Sequence, residues 1–339
     1  MNLARYVARR VLLLPAMLVG ITLLTFVISH AVPADPVAVN LGEQAAANPE
    51  VVATFRHQWG LDRPLPVQYV IYLRNLLRGD MGMSISTHQA VLTDLGQDLP
   101  ATVELAFAAM LISLAVGIPL GILAGVRRDT PIDQISRGGS LIGVSMPVFW
   151  LGLVALLVFY AWLGWAPSAG QLNPRLSRPP VVTGFVVVDA FLAGEPEVGG
   201  DALAHLVLPA LVLSAYSIGV ITRMMRGSML DVLGEDYVRT ARAKGLPGLR
   251  VTLRHAARNA LLPVITIIGL SFGGLLSGAV ITETVFAWPG LGSYAFRSAT
   301  SLDFPAIMGV GIVVASVYVF ANLLVDVAYA VADPRIRMG

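Results

Sequence analysis

Six apolar runs, each long enough to cross a bilayer as a helix, dominate this chain. They are approximately Val11–His30, Ala101–Val126, Gly138–Leu163, Ala204–Ile221, Leu261–Ile281 and Pro305–Val331. A hydrocarbon core ~30 Å thick takes ~20 helical residues. A soluble core would need only runs of strand or short-helix length. Composition agrees: 56% of the 339 residues are hydrophobic, 13% are charged, and mean hydropathy is +0.73. Soluble domains are ~25% charged, so this chain has too little polar surface for a water-soluble globule. The expected class is an all-α integral membrane protein with six transmembrane helices.

Arginine and lysine set the orientation. With the N-terminus inside, sixteen cations lie on inner segments: Arg5, Arg9, Arg10, Arg127, Arg128, Arg137, eight in the 223–258 region, Arg335 and Arg337. Seven lie outside: Arg56, Arg63, Arg74, Arg78, Arg175, Arg178 and Arg297. Six spans then place both termini in the cytoplasm. Arg9 and Arg10 before an apolar stretch suggest a signal peptide, but that stretch exceeds the usual ~7–15 residues of such a core. An uncleaved first helix is expected.

The chain divides into residues 1–100, a first helix with a large external region, and 101–339, a five-helix core. In the external region, Val67–Leu77 after Asp62-Arg63-Pro64 reads as an amphipathic helix. A second external stretch, Ala166–Asp201, is rich in Pro and Gly. Its apolar patch Val181–Leu192 is too short to span and contains Asp189, so an interfacial or packed piece is expected. Fourteen acids face seven basic groups on the outer side, which makes it mildly acidic.

The most polar inner segment is Arg223–Pro263. It holds Arg223, Arg226, Arg239, Arg242, Lys244, Arg250, Arg254 and Arg258 against Asp231, Glu235 and Asp236. Ser228–Lys244 is helix-compatible, with Glu235 and Arg239 at the favourable i, i+4 spacing. Gly245-Leu246-Pro247-Gly248 then breaks the helix, because Gly suits the position past a helix end and Pro cannot continue it. A second helix follows, with Arg250, Arg254 and Arg258 on one stripe. Two readings stay open on pattern alone: a loop at lipid headgroups, or a rigid elbow that a partner grips.

Several chemistries are excluded. There is no cysteine, hence no disulfide and no thiolate metal site. The histidines show no metal-ligand spacing. A phosphate loop needs G-x-x-x-x-G-K-[ST], and the one lysine, Lys244, lies between Ala243 and Gly245. The chain has no ATPase site of its own and needs no cofactor. Gly269-Leu270-Ser271-Phe272-Gly273 matches G-x-S-x-G, but that elbow needs a strand-to-helix turn, and here it falls inside an apolar helix. With Gly274 and Gly278 it is expected to serve close helix packing. Glu104, Glu283 and Asp326 lie in spans; each is expected near an interface, solvated or paired. So few intramembrane acids argue against a proton-coupled carrier.

Ordered motifs along nearly the whole chain resemble the first permease subunit of the dipeptide/oligopeptide ABC importers. They are Leu61-Asp62-Arg63-Pro64-Leu65-Pro66-Val67-Gln68-Tyr69, Leu76-Leu77-Arg78-Gly79-Asp80-Met81-Gly82, Ser145-Met146-Pro147-Val148-Phe149-Trp150-Leu151-Gly152 and His205-Leu206-Val207-Leu208-Pro209-Ala210. Further along stand Asp236–Leu246, Arg254–Pro263, Thr282–Gly292 and Asp333–Arg337. The resemblance implies a type I importer permease in the cytoplasmic (inner) membrane. It implies a homologous second permease, two ATPase subunits that bind ATP and Mg, an extracytoplasmic substrate-binding protein, contact with membrane lipid and no nucleic acid. It assigns ATPase coupling to Glu235, Asp236, Tyr237, Arg239, Thr240, Ala241, Lys244, Gly245, Pro247 and Gly248. Arg239 stands where the general docking motif of ABC importers begins with Glu, so a Glu-based contact is not implied. Relatives of this shape carry dipeptides, longer peptides, glutathione, nickel complexes or oligosaccharides. An ion-gradient carrier is the alternative of a different class; it would need buried acids and usually an inverted repeat.

Overall fold

The structure, a computed structural model, describes residues 17–28, 47–58 and 61–332, without the side chains of 58, 276–278 and 321–332. Arg5, Arg9, Arg10, Val11, the stop after His30, the Asp333–Arg337 motif and the Asp326 side chain therefore lie outside the described residues. The elements are α1 (Met17–Ile28), α2 (Pro49–Gln58), α3 (Leu65–Leu76), α4 (Val91–Val126) and α5 (Pro131–Ser145). Next come α6 (Val148–Ala155), running into a π-helical stretch (Leu156–Trp162), then α7 (Val186–Leu192), α8 (Pro196–Leu233) and α9 (Asp236–Ala243). One continuous helix follows, made of α10 (Gly248–Arg250), a second π-helical stretch (Val251–Ala257) and α11 (Arg258–Val285). α12 (Leu291–Thr300) and α13 (Phe304–Ala332) complete the fold.

Three of the described helices are long and apolar enough to cross a membrane: Val91–Val126, Pro196–Leu233 and Gly248–Leu275. The bent pair Pro131–Ser145 and Val148–Trp162 is long and apolar enough only when its two halves are taken together, as a broken span or a re-entrant loop, and Met17–Ile28 and Phe304–Phe320 are shorter apolar helices. The break corrects the reading of 138–163 as one continuous helix: the chain is bent by 107° between the two halves. Met146 and Pro147 are both extended there, with ψ of 132°. The cause is local, since a residue before proline is driven out of the helical region and proline donates no hydrogen bond.

α4 and α8 form the most extensive helix pair. Gly117, Gly121 and Gly125 recur every four residues on α4, and Ile221, Met225 and Met229 do so on α8, all three of them 0% exposed. A Cβ at Gly121 would lie 2.5 Å from Met225 Cβ and 2.8 Å from the Thr222 carbonyl oxygen. Without a strong hydrophobic drive between helices in lipid, such small residues let backbones approach closely. Gly121→Val should therefore overpack this contact, at a cost of ~1–3 kcal/mol. A lowered thermal midpoint in detergent checks this, with Gly96→Val as control, because nothing lies within 4 Å of a Cβ there. Equal midpoints would mean that the helices separate freely. Within the Gly269–Gly278 segment, Gly273 does serve packing, against the Tyr318 ring of α13; Gly274 meets nothing within 4 Å.

At the end of the bundle away from α9, buried acids pin the connections. Asp189 is 2% exposed and accepts hydrogen bonds from the amides of Val182, Thr183 and Gly184 and from the Thr183 hydroxyl, at 2.7–3.1 Å. Burial opposes its ionisation, but the Thr183, Val182 and Gly184 donors outweigh it and hold the carboxyl below the usual range. So Asp189 organises the turn before α7, and the patch is packed rather than spanning.

Glu104 and Glu283 are 7% and 0% exposed, partnered rather than solvated. Glu104 accepts from the Val187 amide (3.0 Å) and from Gln171 Nε2 (3.1 Å). Glu283 accepts from the Thr102 hydroxyl (2.6 Å) and the Ser293 amide (2.9 Å). Thr102 Oγ1 in turn accepts from the Leu291 amide (2.8 Å), and Trp288 Nε1 donates to the Ala101 carbonyl (2.9 Å). The Glu283–Gly292 motif is thus a clamp between the end of α11, the start of α12 and α4. A Cβ at Gly290 would sit 2.5 Å from the Glu283 carboxylate, so the clamp closes only on glycine.

Candidate functional site

The residues singled out for coupling fall on one elbow, α9 with its two flanks. The expected single helix over 228–244 is broken: α8 stops at Leu233, Glu235 is extended (φ −69°, ψ 147°), and α9 starts at Asp236. Leu233-Gly234-Glu235-Asp236 carries the reason. Gly weakens a helix interior, and acids belong at the positive end of a new helix dipole. Arg242, in the last turn of α9, suits its negative end.

The far side of α9 closes on Gly245. Its φ is +73°, its amide donates to the Arg242 carbonyl (2.9 Å), and the Leu246 amide donates to the Ala241 carbonyl (3.4 Å). That pair of bonds is the Schellman cap, which glycine enters without a Cβ penalty. Pro147-like extension recurs at Pro247 (φ −56°, ψ 136°), and Gly248 opens the next helix. Val251–Ala257 is π-helical rather than the plain helix expected, and Arg250, Arg254 and Arg258 remain exposed along it.

The elbow has two faces. Val238, Ala241 and Val251 are 0%, 6% and 1% exposed and pack with Val232, Leu233 and Leu246. This apolar knot fixes α9 to the end of α8 and to the start of the next helix. Asn259 Nδ2 adds a bond to the Tyr237 hydroxyl (2.7 Å). Of the ten singled-out residues, Ala241 alone is buried; Glu235, Asp236, Tyr237, Arg239, Thr240, Lys244, Gly245, Pro247 and Gly248 are exposed. Arg239 pairs with Asp236 (3.2 Å), not with Glu235, because Glu235 lies outside the helix. Both partners are more than three-quarters exposed, so the pair is worth little and both groups stay available to a protein docking there.

Sequence reasoning missed the anchor. Val238, Ala241 and Val251 are a helical i, i+3 pair and one residue past the break, a pattern visible but unremarkable among so many apolar residues. It also missed the tie beside the elbow. Arg226 of α8 donates from Nε and Nη2 to the two carboxylate oxygens of Asp133 of α5, at 2.5 and 2.7 Å. The Asp129 amide adds a third bond to Asp133 (3.0 Å), and Asp133 is fully buried.

The chain is similar to known proteins in sequence and in fold. The chain is 48% identical over 320 residues to the probable D,D-dipeptide transport system permease protein of Escherichia coli, covering 94% of each. It is 43% identical to the di/tripeptide transport system permease protein of Pseudomonas aeruginosa over 98% of both chains. Its fold is similar to a chain of an inward-facing form of the MetNI methionine ABC transporter (TM-score 0.51, 15% identity), covering 71% of this chain and 97% of that one. Residues 3–106 match the N-terminal membrane-component model of binding-protein-dependent transport systems. Residues 117–338 match the main model, and with it the chain belongs to the family of inner membrane components of binding-protein-dependent transport systems.

Proposed function

We propose that this chain is one of two membrane subunits of an ATP-driven importer of short peptides. The observation that carries the reading is the elbow: a capped, exposed, basic helix held by an apolar knot to the two helices it joins. The peptide cargo rests on the substrates in the names of the two permease relatives. Two ATPase subunits bind ATP and Mg²⁺ and grip the elbow from the cytoplasm. A homologous permease completes the path, and a binding protein delivers peptide from outside. Six spans place both termini inside, as the distribution of arginine requires.

In this chain the work is mechanical. Closure of the ATPases displaces α9. The knot of Val238, Ala241 and Val251 passes that motion to the end of α8, and Met225 and Met229, seated on Gly121 and Gly125, pass it to α4. Packed helices respond as bodies, which suits alternating access.

The absence of cysteine makes the topology directly testable. A membrane-impermeant maleimide added outside intact cells should label Glu195→Cys and spare Arg242→Cys. The reverse pattern would overturn the assignment. In proteoliposomes, dipeptide uptake should require ATP and all partner subunits, and the purified chain alone should hydrolyse no ATP.

A further inference from the structure

α5 and α8 touch at two places and part between them. Away from the elbow, a Cβ at Gly219 would lie 2.7 Å from the Ser140 carbonyl, and one at Gly143 would lie 2.7 Å from the Ala215 carbonyl. Near the elbow, the helices are rejoined by the Arg226–Asp133 bridge. The groove left between has a volume of about 610 Å³. Ser136, Ser140 and Thr222 form part of its wall, and Arg137 and Arg223 are exposed at its edge.

Its electrostatics are unbalanced. Asp133 is the carboxylate beside the groove, and Arg226 already occupies both of its oxygens. Arg137 and Arg223 make no ion pair among the described residues. Thr222 is 2% exposed, and its hydroxyl has no hydrogen-bond partner among them. A buried hydroxyl without a partner is costly, and two cations beside it call for acceptor oxygens carrying negative charge.

We propose that this groove binds a phosphate oxyanion, paired by Arg137 and Arg223 and hydrogen-bonded by the Thr222 hydroxyl. Two sources share that chemistry: the headgroup of an acidic phospholipid and free inorganic phosphate. The groove's place favours the lipid. It lies within three turns of Arg127 and Arg128 in the α4–α5 turn, the level at which basic pockets between spanning helices meet headgroups. The site is independent of the cargo and goes beyond the transport reading.

The test uses the assembled importer. In nanodiscs of equal phosphatidylglycerol and phosphatidylcholine, native mass spectrometry should show preferential retention of phosphatidylglycerol. The Arg137→Gln/Arg223→Gln double variant should lower that preference by about thirtyfold, about fivefold per cation. Thr222→Val should lower retention of either lipid by about fivefold, because both headgroups carry the phosphate that its hydroxyl would bond. The Arg137→Lys/Arg223→Lys variant, which keeps the charge, should stay within about threefold, and so serves if the glutamine variant fails to fold. In lipid-depleted detergent, calorimetric titration with inorganic phosphate gives the second arm. Heat of binding that the double glutamine variant loses, without lipid preference, supports the site and assigns it to the free anion. Equal behaviour of wild type and the glutamine and valine variants in both arms would overturn the proposal. So would efficient cross-linking of Gln134→Cys to the second permease with no acidic lipid retained, which would make the groove a subunit interface.

Discussion

Gly245→Val is expected to uncouple the transporter: uptake falls by about five- to thirtyfold while the protein stays folded and in the membrane. The range follows from backbone strain. Gly245 has φ +73°, where a residue bearing a Cβ is strained by ~1–2 kcal/mol, and 1.4 kcal/mol is tenfold in a population. A β-branched residue meets the worst of that strain. The fold tolerates the change in place, since no atom lies within 4 Å of the added Cβ. What is lost is the Schellman cap, and with it the direction in which α9 presents Lys244 and the Arg242 carbonyl to a partner. The same open space is where an ATPase subunit would approach the backbone. Gly245→Asn should restore most uptake, because Asn enters the left-handed region readily. The measurements are dipeptide uptake, ATPase rate and subunit co-purification of the reconstituted complex. Normal uptake by the valine variant, with the ATPase bound and fully stimulated, would mean that the elbow is not the coupling element.

Asp133→Ala should destabilise the chain by ~3–5 kcal/mol, the usual effect of removing one partner of a buried ion pair. Asp133 is 0% exposed, and it holds both Arg226 nitrogens and the Asp129 amide. Its loss strands a guanidinium whose side chain is 19% exposed and frees the α4–α5 turn from α8. Asp133→Leu with Arg226→Met should recover most of the loss, since an apolar pair of similar volume often replaces a buried ion pair without penalty. Thermal midpoint and folded yield in detergent read the effect. A midpoint shifted by less than ~2 °C, under ~1 kcal/mol for a chain of this size, would mean that water already screens the bridge.

The positions of the helices follow from the chain alone, because hydrocarbon demands internally satisfied backbone over ~20 residues. The elbow was legible for a similar reason. Gly245 needs no Cβ and Pro247 has no amide hydrogen, so Gly245–Pro247 ends a helix in almost any surroundings. The bend at Met146–Pro147 was written there too, but continuous hydropathy hid it, since lipid rewards apolar length whether or not the helix is straight. The start of α9 was readable in Gly234, Glu235 and Asp236. Partners were not. Arg226 and Asp133 stand 93 residues apart, and Thr102 and Glu283 stand 181 apart. Nothing local to a carboxylate says which distant donor will saturate it. Gly117, Gly121 and Gly125 announce a close approach by their spacing but not the side chains that fill it. That choice fell to Ile221, Met225 and Met229 only when α4 and α8 were brought together. Local backbone chemistry settles where helices start and stop. Which faces meet depends on shape and charge complementarity between segments far apart in the chain, and that exists only once they are packed.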